Sequence, residues 1–269
     1  MPILAYDHDA SAPRFDDVAR EEPLQIRLVA AGQTHDVAVT MRTPGNDFEL
    51  AVGFLFSEGI VRTRSDVESV SYCIDDAVET EQQYNIVHVQ IRGSAAPAID
   101  RLERHFAIGS ACGLCGKAQL DDLQIRGIAR IDSSIAVSAQ TLIELPQRLQ
   151  EAQRAFAYTG GLHASGLFDS SGALLAIRED VGRHNAMDKL IGWGLMNDRL
   201  PFSSGIALVS GRSSFEIVQK AAVARIPVVC SVSAPSGLAV ETAQTFNITL
   251  IGFLRGRRFN VYAGANRIT

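Results

Sequence analysis

The stretch REDVGRHNAMDK (residues 178–189) decides how the second half of the chain is interpreted. Seven of its twelve side chains are charged or imidazole groups. A short apolar run, residues 173–177, precedes it and predicts a strand, and residues 186–193 predict a helix that continues it. Polar groups at the carboxyl end of a strand are typical of ligand sites in open α/β sheets. The stretch therefore predicts an α/β fold and the edge of the sheet that binds a ligand.

Apolar runs and helical stretches alternate around this segment. The predicted strands are residues 173–177, 206–209, 228–232 and 248–253. The predicted helices are residues 186–193, 215–225 and 237–245. This alternation predicts a largely parallel sheet between two layers of helices. We assign the resulting three-layer α/β domain to residues 141–269, and a helix over residues 141–158 is predicted at its start.

The first half of the chain predicts a smaller α+β unit. Residues 1–20 show no periodicity and are predicted to be a flexible arm. Residues 21–140 form the α+β domain, in the order strand, strand, helix, strand, strand. Asn46 and Glu49 form a capping-box pattern at the start of the predicted helix. The strands are predicted at residues 23–29, 34–40, 69–74 and 85–91, and the helix at residues 48–58.

Two cysteines, Cys112 and Cys115, lie near the end of this domain in the run IGSACGLCGK (residues 108–117). Three glycines favour an exposed loop, because glycine reaches backbone conformations that other residues avoid. A following lysine and a predicted helix start favour the thiolate over the thiol. The loop is predicted to carry the chemistry, whereas the isolated Cys73 and Cys230 are predicted to be buried and inert.

Three kinds of chemistry compete for the Cys-x-x-Cys pair. A thioredoxin-type dithiol belongs at the start of the helix in a β-α unit, but this pair follows a basic stretch of little periodicity, residues 101–105. A structural zinc site needs four ligands, and the sequence has neither a second pair nor a His-x₃₋₅-His pattern. We favour the third interpretation, a nucleophilic or sulfur-carrying thiol on a mobile loop.

Three further polar clusters stand out in the second half. Residues 158–166 place His163 among glycines, and residues 252–258 close the last strand with three arginines. The third cluster follows a predicted strand and opens a helix, and it comprises Ser210, Gly211, Arg212, Ser213 and Ser214. Helix N-termini and arginine forks bind anions, so together the clusters predict a polyphosphate or nucleotide-bearing ligand. Each alone also fits a helix cap, a solvated turn or a histidine that satisfies a carbonyl.

Composition restricts the partners that we expect. The formal net charge is −5, which does not favour nucleic acid or an anionic membrane. We identify no secretion signal, no apolar run long enough to cross a bilayer, and neither a Gly-x-Gly-x-x-Gly nor a P-loop pattern. A Cys-x-x-Cys without a secretion signal belongs to a reducing compartment. The protein is therefore expected to be cytoplasmic, with no nucleic-acid or membrane partner.

From about residue 20 to the C-terminus, the chain resembles the FdhD/NarQ family of formate dehydrogenase accessory sulfurtransferases. The matching patterns, each with its first residue, are EPL (Glu22), MRTPG (Met41), EGI (Glu58), CGLCG (Cys112), EDVGRHNAMDK (Glu179), SGRSSFE (Ser210) and GF (Gly252). The resemblance implies a cytoplasmic, homodimeric sulfur carrier. A cysteine desulfurase would supply sulfur as a persulfide, and the chain would pass it to a bis-guanine-dinucleotide cofactor of molybdenum or tungsten. That cofactor would then enter formate dehydrogenase.

The resemblance also assigns roles to individual residues. Cys112 matches the cysteine that carries the persulfide, and Cys115 either resolves the persulfide or tunes its neighbour. The matching cofactor-binding stretch consists of Phe253, Leu254, Arg255, Gly256, Arg257 and Arg258. We add His184 and the residues from Ser210 to Ser213 as predicted cofactor contacts. The sequence leaves open whether His163, His184 and Lys189 bind ligand or only brace the site.

A cytidine-deaminase-like fold for the second domain is a further implication of the resemblance. Zinc deaminases carry a His-x-Glu pattern, with Pro-Cys-x-x-Cys after it. Here His163 is followed by Ala164 and Ser165, and the cysteine pair precedes the histidine. Neither zinc nor deaminase activity is therefore expected. Two functions remain as alternatives to sulfur transfer: a chaperone that delivers the cofactor without moving sulfur, and a thiol-disulfide oxidoreductase.

Overall fold

A computed structural model describes residues 1–8, 10–73, 80–93, 123–124 and 126–269. Its strands are β1 Pro2–Asp7, β2 Ala10–Phe15, β3 Glu22–Ala30, β4 Gln33–Arg42, β5 Val67–Tyr72, β6 Ile86–Ile91, β7 His163–Phe168, β8 Leu174–Asp180, β9 Ile206–Val209, β10 Val228–Ser231, β11 Thr249–Arg255 and β12 Arg258–Ala263. Its α-helices are α1 Asp47–Ser57, α2 Thr80–Gln83, α3 Ala139–Ala152, α4 Arg154–Thr159, α5 Arg183–Met196, α6 Phe215–Val223 and α7 Gly237–Phe246. Short 3₁₀ turns occupy Arg64–Asp66 and Ala265–Arg267.

The C-terminal half forms a six-stranded sheet in the order β12-β11-β10-β9-β7-β8. The predicted α/β class is confirmed, but the prediction of a largely parallel sheet is wrong. Only the central strands β9, β10 and β11 run parallel, whereas β12, β7 and β8 pair antiparallel to their neighbours. The sequence interpretation missed β7 because residues 158–166 look like a glycine-rich loop. It missed β12 because the arginine run looks like the end of the chain's last strand.

Helix boundaries in this half follow local capping chemistry. Ser138 and Ser236 accept hydrogen bonds from the backbone N–H groups of Thr141 and Ala239, at 3.0 and 3.2 Å, which starts α3 and α7. The predicted single helix over residues 141–158 is two helices, because the chain turns at Gln153 between α3 and α4.

The N-terminal half matches the predicted order of strand, strand, helix, strand, strand. Its sheet has the order β4-β3-β6-β5, with β3 parallel to β6 and the outer pairs antiparallel. Alternate residues Leu24, Ile26 and Leu28 are fully buried against α1, as the period-two pattern predicts. The predicted capping box is wrong, because Asn46 adopts a left-handed conformation without a side-chain cap and Glu49 pairs with Arg178 instead.

Residues 1–20 were predicted to be a flexible arm without periodicity, and the structure places most of them in a β-hairpin. β1 and β2 pair antiparallel from Pro2–Phe15 to Asp7–Ala10, although the hairpin's apolar side chains Leu4, Tyr6 and Phe15 stay exposed. Pro13 is compatible with this pairing, because both strands of a two-stranded sheet are edge strands.

Helices α1 and α5 join the two halves of the molecule. A Cβ atom added to Gly192 would lie 1.8 Å from the carbonyl oxygen of Glu49, and one added to Gly53 would lie 1.9 Å from that of Asp188. The two helix backbones therefore touch, and only glycine fits at these positions. One hydrophobic cluster extends across the predicted boundary near residue 140, since it includes Leu50 and Leu55 of α1 together with residues of α5 and α6. Among the described residues, no helix combines the length and the apolar character needed to cross a membrane.

Candidate functional site

The strand registers bring the polar clusters to one edge of the six-stranded sheet. His163 at the start of β7 pairs with Asp180 at the end of β8, and Ser165 pairs with Val209 at the end of β9. Because β7 runs antiparallel to both neighbours, its amino end lies beside their carboxyl ends. The predicted gathering of residues 178–189 and 210–214 at a common edge is thus present, with His163 between them.

Ser210 connects the strand end to this histidine. Its hydroxyl oxygen accepts a hydrogen bond from the Ala164 backbone N–H at 2.9 Å and lies 3.4 Å from Nδ1 of His163. A Cβ atom on Gly211 would lie 3.4 Å from both the His163 ring and Cδ of Arg183. The absence of a side chain at Gly211 therefore leaves the loop backbone directly against the histidine and the arginine.

Burial lowers the pKa of His163 below its usual value, and the positive charges of Arg183 and His184 lower it further. The Asp180 carboxylate opposes this shift but does not overcome it. The lowered pKa favours the neutral imidazole, whose ring can both donate and accept a hydrogen bond.

His184 lies in α5, and its side chain contacts residues at the start of α6. Its Nε2 atom lies 2.9 Å from a carboxylate oxygen of Glu216 and 3.0 Å from the hydroxyl of Ser214. The hydrogen bond to His184 lowers the pKa of the Glu216 carboxyl, although burial of that carboxyl acts in the opposite direction. The pair fixes the orientation of the imidazole ring at the sheet edge.

Buried polar atoms without a partner mark this edge. Ser165 and Ser213 are 1% and 0% exposed, and neither hydroxyl has a hydrogen-bond partner among the described residues. The buried Nε of Arg183 is also unpartnered there. A buried hydroxyl or guanidinium nitrogen without a hydrogen bond costs about 1–3 kcal/mol. Such a concentration of unsatisfied groups is typical of a place where a ligand or an ordered water completes the bonding.

The predicted stretch from Phe253 to Arg258 begins at the same edge, one strand beyond β10. The backbone N–H of Phe253 donates to the Ser233 carbonyl at 3.1 Å, and the Arg255 guanidinium lies 5.6 Å from the centre of the Phe253 ring. Ser210 follows β9 and Phe253 lies in β11, with β10 between these strands. Two strand-to-strand spacings therefore separate Phe253 from Ser210 by about 10 Å. An extended ligand is needed to contact both.

The side chains of this stretch are not equally available. Leu254 is fully buried in the second hydrophobic cluster, so its side chain serves the core and only its backbone is left for a ligand. Gly256 has a φ of 59° in the turn that joins β11 to β12. Arg255, Arg257 and Arg258 are exposed around that turn and offer three guanidinium groups.

Most of the stretch 178–189 braces the site. Lys189 is 1% exposed, and its ammonium group lies 2.7 Å from the fully buried Asp180 carboxylate and donates to the Thr43 carbonyl at 2.8 Å. Asn185 donates to the Met41 carbonyl at 2.7 Å and to Asp180 at 3.1 Å. These bonds attach the turn after β4 to the edge of the other sheet. Lys189 therefore holds the site in place, whereas Arg183 and His184 face the edge of the six-stranded sheet.

A second brace lies deeper along α5. Asp188 receives hydrogen bonds from the Lys220 ammonium at 2.7 and 2.8 Å and from the Ser57 hydroxyl at 2.9 Å. Burial alone would lower the pKa of Lys220, but the Asp188 carboxylate raises it above its usual value. Arg178 forms a bidentate pair with Glu49 of α1. Thus most charges of the conspicuous stretch hold the two halves of the fold together.

The four cysteines fall into two groups. Cys112 and Cys115 lie outside the described residues, so their predicted role stays a prediction. Cys73 and Cys230 are buried, as predicted, and burial raises the pKa of the Cys230 thiol. Within the described ranges, no group of three or more His, Cys, Asp and Glu side chains could hold a metal ion.

Four groups at the edge were missing from the predicted contacts: Ser165, Arg183, Ser214 and Glu216. Ser165 was hidden because β7 was interpreted as a loop; the alternation of His163 and Ser165 with Ala164 and Gly166 was the available signal. Glu216 is too far from His184 in the sequence for the spacing between them to predict a contact. Only the pairing of β8 with β7 and β9 with β7 brings them together.

Comparison with known proteins identifies the family. A model described as the FdhD/NarQ family matches residues 19–269. Proteins named "Sulfur carrier protein FdhD" from Streptomyces coelicolor and Mycobacterium tuberculosis are each 48% identical, covering 99% and 97% of this chain and 94% and 95% of their own. One from Sulfurisphaera tokodaii is 43% identical over 100% of this chain and 98% of its own.

A solved structure supports the fold. The crystal structure of a Desulfotalea psychrophila protein, assigned as a formate dehydrogenase accessory protein, matches with a TM-score of 0.76. It covers 100% of this chain and 98% of its own, at 22% sequence identity, and therefore bears on the fold alone. The family match and the near full-length relatives agree with the patterns from Glu22 to Gly252: the chain belongs to the FdhD/NarQ family.

Proposed function

We propose that this protein is a sulfurtransferase that carries sulfur as a cysteine persulfide from a cysteine desulfurase to a molybdenum or tungsten bis-guanine-dinucleotide cofactor destined for formate dehydrogenase. The observation that carries the proposal is the 48% identity, over nearly the whole chain, with relatives named as sulfur carriers. The Cys-x-x-Cys pair supplies thiols suited to that task.

The sulfur-loading step is a thiol exchange. The Cys112 thiolate attacks the outer sulfur of the donor's persulfide, which forms a new S–S bond on Cys112 and releases the donor as its thiolate. Two routes unload the sulfur. In one, Cys115 attacks Sγ of Cys112, forms a disulfide and releases hydrosulfide. In the other, Cys115 only tunes Cys112 and the acceptor removes the outer sulfur directly.

The polar edge supports the cofactor part of the proposal. A guanine dinucleotide carries pyrophosphate groups, which accept hydrogen bonds and attract positive charge. The unpartnered Ser213 hydroxyl and Arg183 Nε, together with the N-terminus of α6, are donors suited to a phosphate. The exposed arginines of the β11–β12 turn add further charge for an extended ligand. Ligand binding would satisfy the polar atoms that have no partner among the described residues.

The maturation of formate dehydrogenase in cells lacking their own copy of this protein tests the role of the thiols. Cys112→Ala is expected to abolish formate dehydrogenase activity, while Cys73→Ala, which changes a buried thiol, is expected to retain it. Full activity with Cys112→Ala would overturn the persulfide role and favour a chaperone that delivers the cofactor without sulfur transfer. Cys115→Ser separates the two unloading routes, since only the hydrosulfide route requires a second thiol.

Calorimetric titration with guanosine diphosphate, as a probe for half of the dinucleotide, tests the edge. Ser213→Ala is expected to weaken binding by about tenfold, because it removes one hydrogen bond to a charged group. Ser171→Ala, in the exposed turn between β7 and β8 at the opposite edge, is the matched control and is expected to bind normally. Equal affinity of both variants would remove Ser213 from the site.

A further inference from the structure

Two neighbouring cavities lie at the edge of the sheet opposite to the candidate site. One, of about 360 Å³, has an apolar floor that includes Phe56, Leu195 and Leu200. The other, of about 310 Å³, is lined by apolar groups that include Trp193 and Phe202. Both cavities precede the amino end of β9, whereas the candidate site follows its carboxyl end. None of the residues described for the candidate site lines either cavity.

The cavities form one continuous surface, because Pro201 is a wall of both. Leu175 on the rim is 52% exposed, which is high for a large aliphatic side chain beside a tryptophan. The rings of Trp193 and Phe202 stack with their centres 6.4 Å apart and form a continuous aromatic wall. Aromatic side chains that line pockets, with arginine nearby, are typical of the centres of protein interfaces.

Positive charge surrounds this apolar surface. Arg62, Arg64 and Arg225 line the first cavity and Arg199 lines the second. None of the four forms a salt bridge within the part of the chain that the structure describes, and the whole protein carries a formal charge of −5. A local excess of unpaired arginines on an acidic protein is a specific electrostatic feature.

The two aspartates at the cavities do not neutralise these arginines. Asp169 already accepts backbone hydrogen bonds from Ser171 and Ala173 at 2.9 and 3.0 Å, which fix the β7–β8 turn. Asp198 is exposed and has no salt bridge to any described residue. Arg64 donates to the Val67 carbonyl at 2.9 Å, and Arg225 donates to the carbonyls of Ala129 and Arg130 at 2.6 and 3.2 Å. Arg62 and Arg199 are therefore the arginines most available to carboxylates from outside the chain.

We propose that these two cavities are a docking surface for an acidic segment of a partner protein that inserts apolar side chains into them. Charge complementarity selects this occupant: apolar pockets with an arginine rim fit leucine or phenylalanine anchors flanked by glutamate or aspartate. An amphipathic acidic helix offers such anchors at i, i+3, i+4 and i+7. Because the surface and the candidate site are at opposite edges, a partner docked here leaves the site open.

Trp193 provides a direct test, since it is the chain's one tryptophan. The probe is a short capped peptide with leucine and phenylalanine at helical anchor positions and glutamate elsewhere. We expect a saturable change in tryptophan fluorescence when the full-length protein is titrated with it, weakened by added salt. The Arg62→Glu, Arg199→Glu double variant is expected to bind about tenfold more weakly. Arg14→Glu, an exposed arginine of the N-terminal hairpin, is the matched control.

Three outcomes would overturn the proposal. The first is the absence of a saturable change, and the second is equal binding of a peptide with lysine in place of glutamate. The third is sedimentation showing that the protein self-associates and that the double variant dissociates it, which would identify the occupant as a second copy of this chain. Circular dichroism of each variant verifies that the fold is retained.

Discussion

The contact between α1 and α5 and the polar edge of the six-stranded sheet use charged residues from the same stretch, 178–189, in opposite ways. At the helix contact, Arg178 pairs with Glu49 and Asp188 with Lys220, and the charged groups have partners. At the sheet edge, the Nε atom of Arg183 is buried yet has no partner within the described chain, and the same is true of the neighbouring Ser213 hydroxyl. Buried charged groups with partners hold the fold together, whereas buried polar atoms without partners leave the edge ready for a ligand.

The largest expected effect comes from breaking the paired region at Lys189. Lys189→Met leaves the Asp180 carboxylate buried without its counter-ion, which costs about 3–5 kcal/mol of the free energy of unfolding. Chemical denaturation measures this loss. The Asp180→Asn, Lys189→Met double variant should be more stable than Lys189→Met alone, and the opposite order would show that the pair is not a bracing interaction.

Gly192→Ala is expected to have the next largest effect. The new methyl group would overlap the Glu49 carbonyl, so α1 and α5 must move apart, at a cost of about 3 kcal/mol in the free energy of unfolding. Gly237→Ala is the matched control, because nothing lies within 4 Å of the added Cβ atom there. If the two variants unfold at the same denaturant concentration, the close helix contact is wrong.

Ser213→Ala should affect stability much less, which sharpens the contrast between the two regions. Removing a buried hydroxyl that has no partner among the described residues is expected to raise the free energy of unfolding by about 1 kcal/mol, because the cost of its unmet hydrogen bond disappears. The same variant should weaken binding of guanosine diphosphate. A large loss of stability would show that the Ser213 hydroxyl has a structural partner after all.

The smallest effect is a pH dependence from His163. Its pKa is lowered in the folded protein, so the unfolded chain binds a proton more readily and stability falls as the pH drops below the ordinary histidine value of about 6.5. The proton NMR titration of the imidazole should therefore have a midpoint below that value, and His163→Gln should reduce the loss of stability. A midpoint at or above about 6.5 would contradict the buried, neutral histidine.

Sequence patterns predicted the elements whose periodicity is local. The buried strand Ile206–Val209 and the alternating β3 were predicted because their residue patterns report burial directly. β7 was missed because its glycine and serine are explained only by neighbours on both sides, which sequence does not reveal. The antiparallel direction of β7, β8 and β12 was not predicted for the same reason, since strand direction depends on tertiary pairing.

The candidate site was predictable in part. Ser210 and His184 were recognised from their position at strand and helix ends, and the registers bring them to one edge. Lys189 could not be classified from sequence, because its bracing role depends on Asp180 and on the Thr43 carbonyl from the other sheet. Leu254 belongs to a motif yet serves the core, so a motif identifies a segment and not the task of each side chain.

Intact-protein mass spectrometry after incubation with a cysteine desulfurase and free cysteine tests whether the protein carries sulfur as a persulfide. We expect the mass of one added sulfur atom, removable by reductant, and peptide mapping that places it on Cys112. The Cys112→Ala variant should gain none. A protein that gains no sulfur from an active desulfurase, or gains it equally in the Cys112→Ala variant, would contradict the persulfide carrier.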